Sequence, residues 1–271
     1  MKSIFEIENR LDIPKEFSKL VDIFQEDSNA AIYEEKYHSR TYGTFISAIS
    51  KTVFLEWKYR DTFLDAYEYL EHIGINIEAI DYLKYHINKE QFLYYLEFIL
   101  NMVLLIDDAN KRQIELLPMT IAAIENIPKI LEKMNYKIKE LDDKIIITKR
   151  NADIDSILET VPKDIAVTLL EYNDFRIQDD IKVKQKILKN MDLYIEKNIN
   201  IKSFDKELDN AIGTIVNKMG VNHPIKEEPY KLFTDEQLIK WYDKCFLMMI
   251  HAIRTVEVNK IKEERKKLIQ K

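Results

Sequence analysis

The scarcity of residues that interrupt helices is the strongest constraint on this chain. Only four Gly and six Pro occur in 271 residues, so few positions force the backbone to turn. Lys, Glu, Ile, Leu and Asn are abundant, which is typical of long amphipathic helices. The sequence therefore predicts a mainly α protein, a multi-helix bundle that is large enough to bury a sizeable core.

The spacing of apolar residues places the helices. Apolar residues recur at four-residue intervals from Phe45 to Trp57, which predicts one helix over residues 44–73 that Gly74 terminates. Residues 29–42 are polar and predict an irregular connection. Thr234 is a predicted N-cap. The same reasoning, with Ser203 and Pro14 as further start signals, predicts helices over residues 14–28, 76–86, 89–106, 119–134, 155–172, 178–197, 203–219 and 235–267.

One segment departs from the helical period. Residues 136–140 alternate between polar and apolar, two aspartates follow, and residues 144–148 are largely β-branched. This pattern predicts a small β-hairpin over residues 136–148, the only sheet in the chain, packed on a helix. A polar stretch before Pro118 predicts a boundary between an N-terminal domain, residues 1–112, and a C-terminal domain, residues 113–271.

Composition limits the classes of function. The formal net charge of −6 argues against a wholly basic nucleic-acid surface but leaves room for a local basic patch. A single Cys245 excludes a disulfide framework and fits a reducing cytoplasm. The most apolar run, residues 92–106, contains Glu97 and Asn101 and falls short of the ~20 apolar residues that a membrane-spanning helix needs. We expect a cytoplasmic protein without a membrane partner.

Known cofactor and metal motifs do not occur. The sequence has no phosphate-binding glycine loop and no serine nucleophile elbow, so we expect no cofactor. Four of the histidines lack the spacing of metal ligands, and we expect no metal site; they are His38, His72, His86 and His251.

Residues 208–224, LDNAIGTIVNKMGVNHP, contain the one pattern that suggests a function. An apolar helix face leads into Gly220, and His223 follows three residues later. A polar pair at the end of a helix and then a histidine resembles the signature of HEPN-like helical domains of bacterial abortive-infection proteins. That signature is Arg-Asn, a few variable residues, often a Gly, then His. Asn217, Gly220 and His223 match it, and Val216 stands in place of the arginine.

The resemblance covers about residues 120–260 and implies a mechanism. In such proteins two protomers pair, and their arginines and histidines line a shared cleft that cuts RNA without metal. A histidine moves a proton at the ribose hydroxyl or the leaving oxygen, and an arginine clamps the phosphate. The resemblance thus implies His223 and Asn217 as site residues, with Lys218 as the nearest replacement cation. Lys218 lies about 200° around the helix from position 216, however, which favours a weak or inactive enzyme.

Two hypotheses follow. The first is a bacterial stress or phage-defence protein, a homodimer that binds RNA or cuts it without metal. The second is a non-catalytic interaction module that uses the tyrosine-rich N-terminal helices, between Trp57 and Phe98, to bind a protein partner. Val216 and the acidic net charge favour the second. The aromatic residues of those helices are either core or an exposed patch.

Overall fold

The computed structural model describes residues 11–27, 29–34, 39–108, 114–141, 143–227 and 230–269. Its architecture is mainly α, as predicted. The chain separates into two compact units, Met1–Thr148 and Lys149–Lys271. The units divide at 148/149, whereas the sequence predicted a domain boundary at 112/113, and the strand pairing described next joins residues on both sides of that predicted boundary.

The first unit combines helices with two small sheets. Strands β1 (Ala30–Glu34), β2 (Ser39–Gly43) and β3 (Ile114–Leu116) form an antiparallel sheet in the order β2-β1-β3, and β4 (Tyr136–Leu141) pairs with β5 (Lys144–Lys149). The helices are α1 (Ile13–Phe24), α2 (Phe45–Lys51), α3 (Ala66–His72), α4 (Ile80–His86), α5 (Lys89–Asp108) and α6 (Pro118–Lys133), which runs through Pro128.

The three-stranded sheet corrects two predictions. The hairpin β4-β5 is present, but it is not the only sheet, and residues 29–42 are not irregular where the structure describes them. Ala30 pairs with Gly43 on one side and with Leu116 on the other. The second pairing joins segments far apart in the chain, so no local pattern reveals it. It also ties residues 114–148 to the first unit.

The predicted helix over residues 44–73 is not continuous. The Thr44 hydroxyl caps α2 by accepting a hydrogen bond from Ser47 N at 3.0 Å, and α2 ends at Lys51. Asp61 then adopts a left-handed conformation, φ 55°, and the Asp65 carboxylate caps the new helix α3. Polar caps therefore override a continuous apolar period. Gly74 ends α3 with φ 81°, as predicted.

Helix α5 forms the centre of the first unit. Its buried residues include Phe92, Tyr95 and Ile99, each essentially without solvent exposure. The Phe17 ring of α1 lies edge-on to Tyr95, with 5.2 Å between the centroids. The apolar run of residues 92–106 is therefore a core helix. Among the described residues no helix is long and apolar enough to cross a membrane.

Two polar residues of α5 attach the hairpin. The Asn101 side-chain amide donates to Ile145 O at 2.8 Å and accepts from Ile145 N at 2.9 Å. One turn earlier, Glu97 Oε2 accepts from Ile147 N at 2.8 Å. The buried edge of β5 is thus paired by side chains instead of a further strand, which explains how an isolated hairpin is stable here.

We expect Asn101→Leu to lower the free energy of unfolding by about 2–3 kcal/mol, because both backbone groups of Ile145 lose their partners in a partly buried place. Urea denaturation followed by circular dichroism measures the change. Asn198→Leu is the control, since Asn198 is exposed and its side-chain amide donates to Tyr194 O within its own helix. Equal losses in the two variants would contradict this account of the hairpin.

The second unit is a helical bundle. Its helices are α7 (Ala152–Asp155), α8 (Lys163–Tyr172), α9 (Ile181–Asn198), α10 (Lys206–Lys218) and α11 (Asp235–Ile269). The predicted helix over residues 155–172 is divided between α7 and α8, with Pro162 as the N-cap residue of α8. Asp205 caps α10 in place of the predicted Ser203. Thr234 caps α11 as predicted, reciprocally with Gln237. The last twelve described residues of α11 are all exposed.

Candidate functional site

The predicted motif lies at the C-terminal end of α10. Gly220 follows the helix with φ 92°, a conformation that glycine adopts without strain. Tyr242 of α11 donates to Met219 O at 2.6 Å, and Gln185 of α9 donates to the Tyr242 hydroxyl at 2.8 Å. A side chain at position 220 would have its Cβ 3.1 Å from the Gln185 amide. The positive φ therefore favours glycine at this position, and a Cβ would also crowd the Gln185 amide.

The motif residues divide between the core and the surface. Val216, in the place of the arginine, is fully buried, whereas Asn217, Lys218 and His223 are exposed. The Lys218 ammonium forms an ion pair with Glu227 at 3.2 Å. All three predicted site residues are thus exposed at or after the end of α10, but the position that would hold the phosphate clamp faces the core.

The loop before His223 is anchored to the rest of the bundle. Asn222 N donates to Val216 O at 2.9 Å, and the Asn222 side chain donates to Asp192 of α9 at 3.1 Å. Burial raises the pKa of the Asp192 carboxyl, and the Asn222 bond partly offsets that effect. Burial also raises the pKa of the Cys245 thiol to about 12, which makes it a poor nucleophile.

A cavity of about 190 Å³ lies elsewhere in the second unit, between α8, α9, α11 and the residues that end and follow β5. Polar side chains surround most of it, and two apolar side chains of α11 complete it. The lining residues are Lys149, Arg150, Asn151, Tyr172, Asn173, Gln178, Lys184, Asp243, Phe246 and Leu247. We call it the lysine cavity.

A buried lysine forms the inner wall of the lysine cavity. The Lys184 side chain is 1% exposed, and its ammonium lies 2.5 Å from Asp243 Oδ1. The Tyr172 hydroxyl donates to the same oxygen at 2.9 Å, and its ring centroid lies 4.8 Å from the ammonium. Burial raises the pKa of the Tyr172 hydroxyl, and the Asp243 carboxylate raises it further. Tyr172 is therefore a neutral donor at physiological pH.

Backbone pairing fixes the rim of the lysine cavity. Lys149 N donates to Asn173 O, and the Asn173 amide donates to Lys149 O, both at 3.0 Å. Asn151 caps α7 by accepting from Asp153 N at 3.1 Å. Arg150 lies between these two anchored residues, and both rim cations are exposed. The cavity is thus lined by two exposed cations, by the Lys184–Asp243 ion pair and by three side-chain amides, and its two rim cations suit an anion.

The sequence contains one signal for this cavity. Lys184 occupies a core position of α9, because Ile187, Leu188 and Met191 follow it on the buried face. A lysine at such a position needs a partner of opposite charge. Its partners in α8 and α11 are too far along the chain to be identified from spacing.

Comparison with protein-family models, curated proteins and solved structures finds no match to this chain.

Among the described residues, no group of three or more His, Cys, Asp or Glu side chains could hold a metal ion. His38 lies outside those residues. The remaining histidines are exposed: His72 ends α3, His86 ends α4, and His251 lies within α11.

The aromatic residues of the N-terminal helices are divided between core and surface. Trp57, Phe92, Tyr95 and Phe98 are buried. Three tyrosines are exposed, Tyr59 to 44%, Tyr82 to 64% and Tyr85 to 78%, and the last two lie on the short helix α4. The others are half-buried; they are Phe63, Tyr67, Tyr69 and Tyr94.

Proposed function

We propose that the second unit binds RNA at the lysine cavity, as a HEPN-like domain that does not cut its ligand. The observation that carries this proposal is the pair of exposed cations, Lys149 and Arg150, at the rim of one cavity whose inner wall holds the Lys184–Asp243 ion pair. Lysine and arginine bind phosphate. The amide nitrogens of Asn173 and Gln178 already donate to Lys149 O and Asp174 O, so the two rim cations are the groups that would bind an RNA phosphate. The single carboxylate, Asp243, is already paired with Lys184.

The distribution of charge supports this assignment. The second unit contains 23 Lys and Arg against 21 Asp and Glu, a formal charge of +2, whereas the first unit has a formal charge of −8. The acidic total therefore belongs to the first unit. RNA binding depends on local cations, so the net charge of the whole chain does not oppose it.

The absence of cleavage is proposed from the motif geometry. Val216 is buried, and the nearest cation, Lys218, pairs with Glu227. The motif lies at a helix C-terminus, whose carbonyl groups and dipole disfavour a phosphate. No arginine occurs in the sequence of residues 206–227 to stabilise the developing charge of a transition state at His223. A role in bacterial stress or phage defence, and a homodimeric state, are proposed from the resemblance alone.

Removal of the two rim cations tests RNA binding. We expect Lys149→Ala with Arg150→Ala to weaken binding of a short single-stranded RNA about tenfold or more at low salt, because two phosphate contacts are lost. The slope of log affinity against log salt should become shallower by about 0.7 for each contact. Fluorescence anisotropy over a salt series measures both quantities.

A matched control uses two exposed lysines of the same unit, Lys202→Ala with Lys206→Ala. It removes the same charge and should change affinity less than twofold. Equal losses in the two double variants would show that RNA is attracted by net charge and not by the lysine cavity. Incubation of the protein with RNA in EDTA should leave the RNA intact. If the protein does cut RNA and the His223→Ala variant does not, the non-cleaving assignment is overturned.

A second candidate function is supported by α4. Tyr82 and Tyr85 are exposed on this one short helix, and tyrosine is enriched where proteins meet. If the first unit binds a protein partner there, Tyr82→Ser with Tyr85→Ser should release that partner and leave RNA binding unchanged.

A further inference from the structure

A second cavity, of about 460 Å³, lies in the first unit. It opens between the loop that precedes α3, the C-terminal end of α3 and the first turns of α5. Aromatic rings and carboxylates dominate its lining, and neither Lys nor Arg is among the lining residues that the structure describes. They are Asp61, Phe63, Tyr69, His72, Ile73, Gly74, Glu90, Gln91 and Tyr94. We call it the aromatic cavity.

The aromatic rings form a connected wall. Phe63 lies edge-on to Tyr69, with 5.8 Å between the centroids, and 4.9 Å from the His72 ring. Tyr69 is held from behind, because it stacks on the buried Phe98 at 5.4 Å and meets Trp57 at 5.0 Å. The wall is thus fixed by core packing before any ligand arrives, which lowers the entropic cost of binding.

The loop at the mouth is also fixed. The Arg60 guanidinium donates to Phe63 O at 2.7 Å and to Asp61 O at 3.3 Å, so its charge is directed to backbone carbonyls. On the opposite side the Gln91 amide donates to Gly74 O at 3.0 Å. A Cβ at position 74 would lie 2.8 Å from that amide nitrogen, so glycine is required for this contact.

The charge of the aromatic cavity is negative. Asp61 and Glu90 supply two exposed carboxylates. The neighbouring cation, Lys89, is directed elsewhere, since its ammonium lies over the Tyr136 ring at 4.8 Å. The surrounding unit has a formal charge of −8. Aromatic rings together with carboxylates attract a cation and disfavour an anion.

We propose that the aromatic cavity binds an alkylammonium head group. Its volume falls in the range of small-molecule sites, and a quaternary or protonated amine matches both the rings and the two carboxylates. The head group belongs either to a free small amine or to a lysine side chain of a peptide. This binding is independent of the RNA-binding proposal, because it uses residues of the other unit.

Isothermal titration calorimetry of the full chain with choline tests the proposal. We expect a dissociation constant on the order of 0.1–1 mM, consistent with the few non-hydrogen atoms of the ligand. The neutral isostere 3,3-dimethylbutan-1-ol, which has the same shape without the charge, should bind about tenfold or more weakly. The second probe is a short peptide with an acetylated N-terminus and one unmodified lysine. If this peptide binds more tightly than choline, the site is assigned to a peptide side chain.

Three variants separate the contributions. Glu90→Gln and Asp61→Asn should each weaken choline binding about threefold to tenfold, and asparagine suits the left-handed conformation at position 61. Phe63→Leu keeps an apolar side chain but removes the ring face. Glu68→Gln is the control, because Glu68 is also an exposed first-turn glutamate but does not line the cavity.

Unchanged affinity in Glu68→Gln with weakened affinity in Glu90→Gln supports the proposal. Equal affinity for choline and its neutral isostere would overturn it, because the cavity would then bind by shape alone. Absence of heat with both choline and the lysine peptide would also overturn it. Circular dichroism confirms that each variant is folded before titration.

Discussion

Asp243→Asn is expected to lower the free energy of unfolding of the second unit by about 2 kcal/mol, and Lys184→Met by less than about 1 kcal/mol. The two substitutions remove the same ion pair from opposite sides. Lys184 is 1% exposed and Asp243 is 48% exposed. The loss therefore depends on which charge remains.

An unpaired Lys184 ammonium would remain buried, away from the water that could solvate it. Removal of one partner from a fully buried pair typically costs about 3–5 kcal/mol, and the exposure of Asp243 reduces that figure because water already weakens the pair. An unpaired Asp243 carboxylate, by contrast, is hydrated and still accepts from the Tyr172 hydroxyl. Methionine fills the space of the lysine stem with apolar atoms.

Urea unfolding monitored by near-ultraviolet circular dichroism measures the two losses, because the stacked pair Tyr172 and Phe246 lies beside the ion pair. Glu236→Gln and Lys240→Met are the controls, since they break an exposed pair on the same helix and should each lower the free energy of unfolding far less than Asp243→Asn does. The double variant Lys184→Met with Asp243→Asn should be more stable than Asp243→Asn alone. If Asp243→Asn and Lys184→Met lower the free energy of unfolding equally, the Lys184 ammonium is not buried as described.

Local signals explain which parts of the fold were predictable. Helix α5 is dense in apolar residues, Gly74 adopts a positive φ, and the cap of Thr234 with Gln237 lies within four residues. Each of these features is determined by neighbours in the chain. The pairing of β1 with β3 joins residues about eighty positions apart, so the sheet and the division at 148/149 depend on contacts that no window of sequence contains.

The candidate site shows the same limit. The core position of Lys184 was visible in the period of α9, but Tyr172 and Asp243 reach it from two other helices. For the motif, the sequence identified the helix end, Gly220 and the apolar face of α10, and Val216 follows Ile212 by four residues on that buried face. Val216 proved to be buried, and Asn217 with Lys218 exposed.

Val216→Arg, which completes the Arg-Asn signature, is expected to unfold the second unit and not to create a nuclease. Val216 has no solvent exposure and belongs to the core that also contains Ile212, Ile215 and Met219. A guanidinium there would be unpaired and would overfill a packed site, and together these effects cost more than about 4 kcal/mol. That is a large part of the 5–15 kcal/mol that stabilises a typical domain.

The control places the same side chain one residue later. Asn217→Arg introduces the guanidinium on the exposed side of α10, and we expect a change of less than about 0.5 kcal/mol. Both variants should be compared by thermal unfolding and by RNA cleavage in EDTA. A folded Val216→Arg protein that cuts RNA, and loses that activity with His223→Ala, would mean that α10 can turn its position 216 toward the ligand. The non-cleaving assignment would then be wrong, and the protein would be a nuclease that lacks only its arginine.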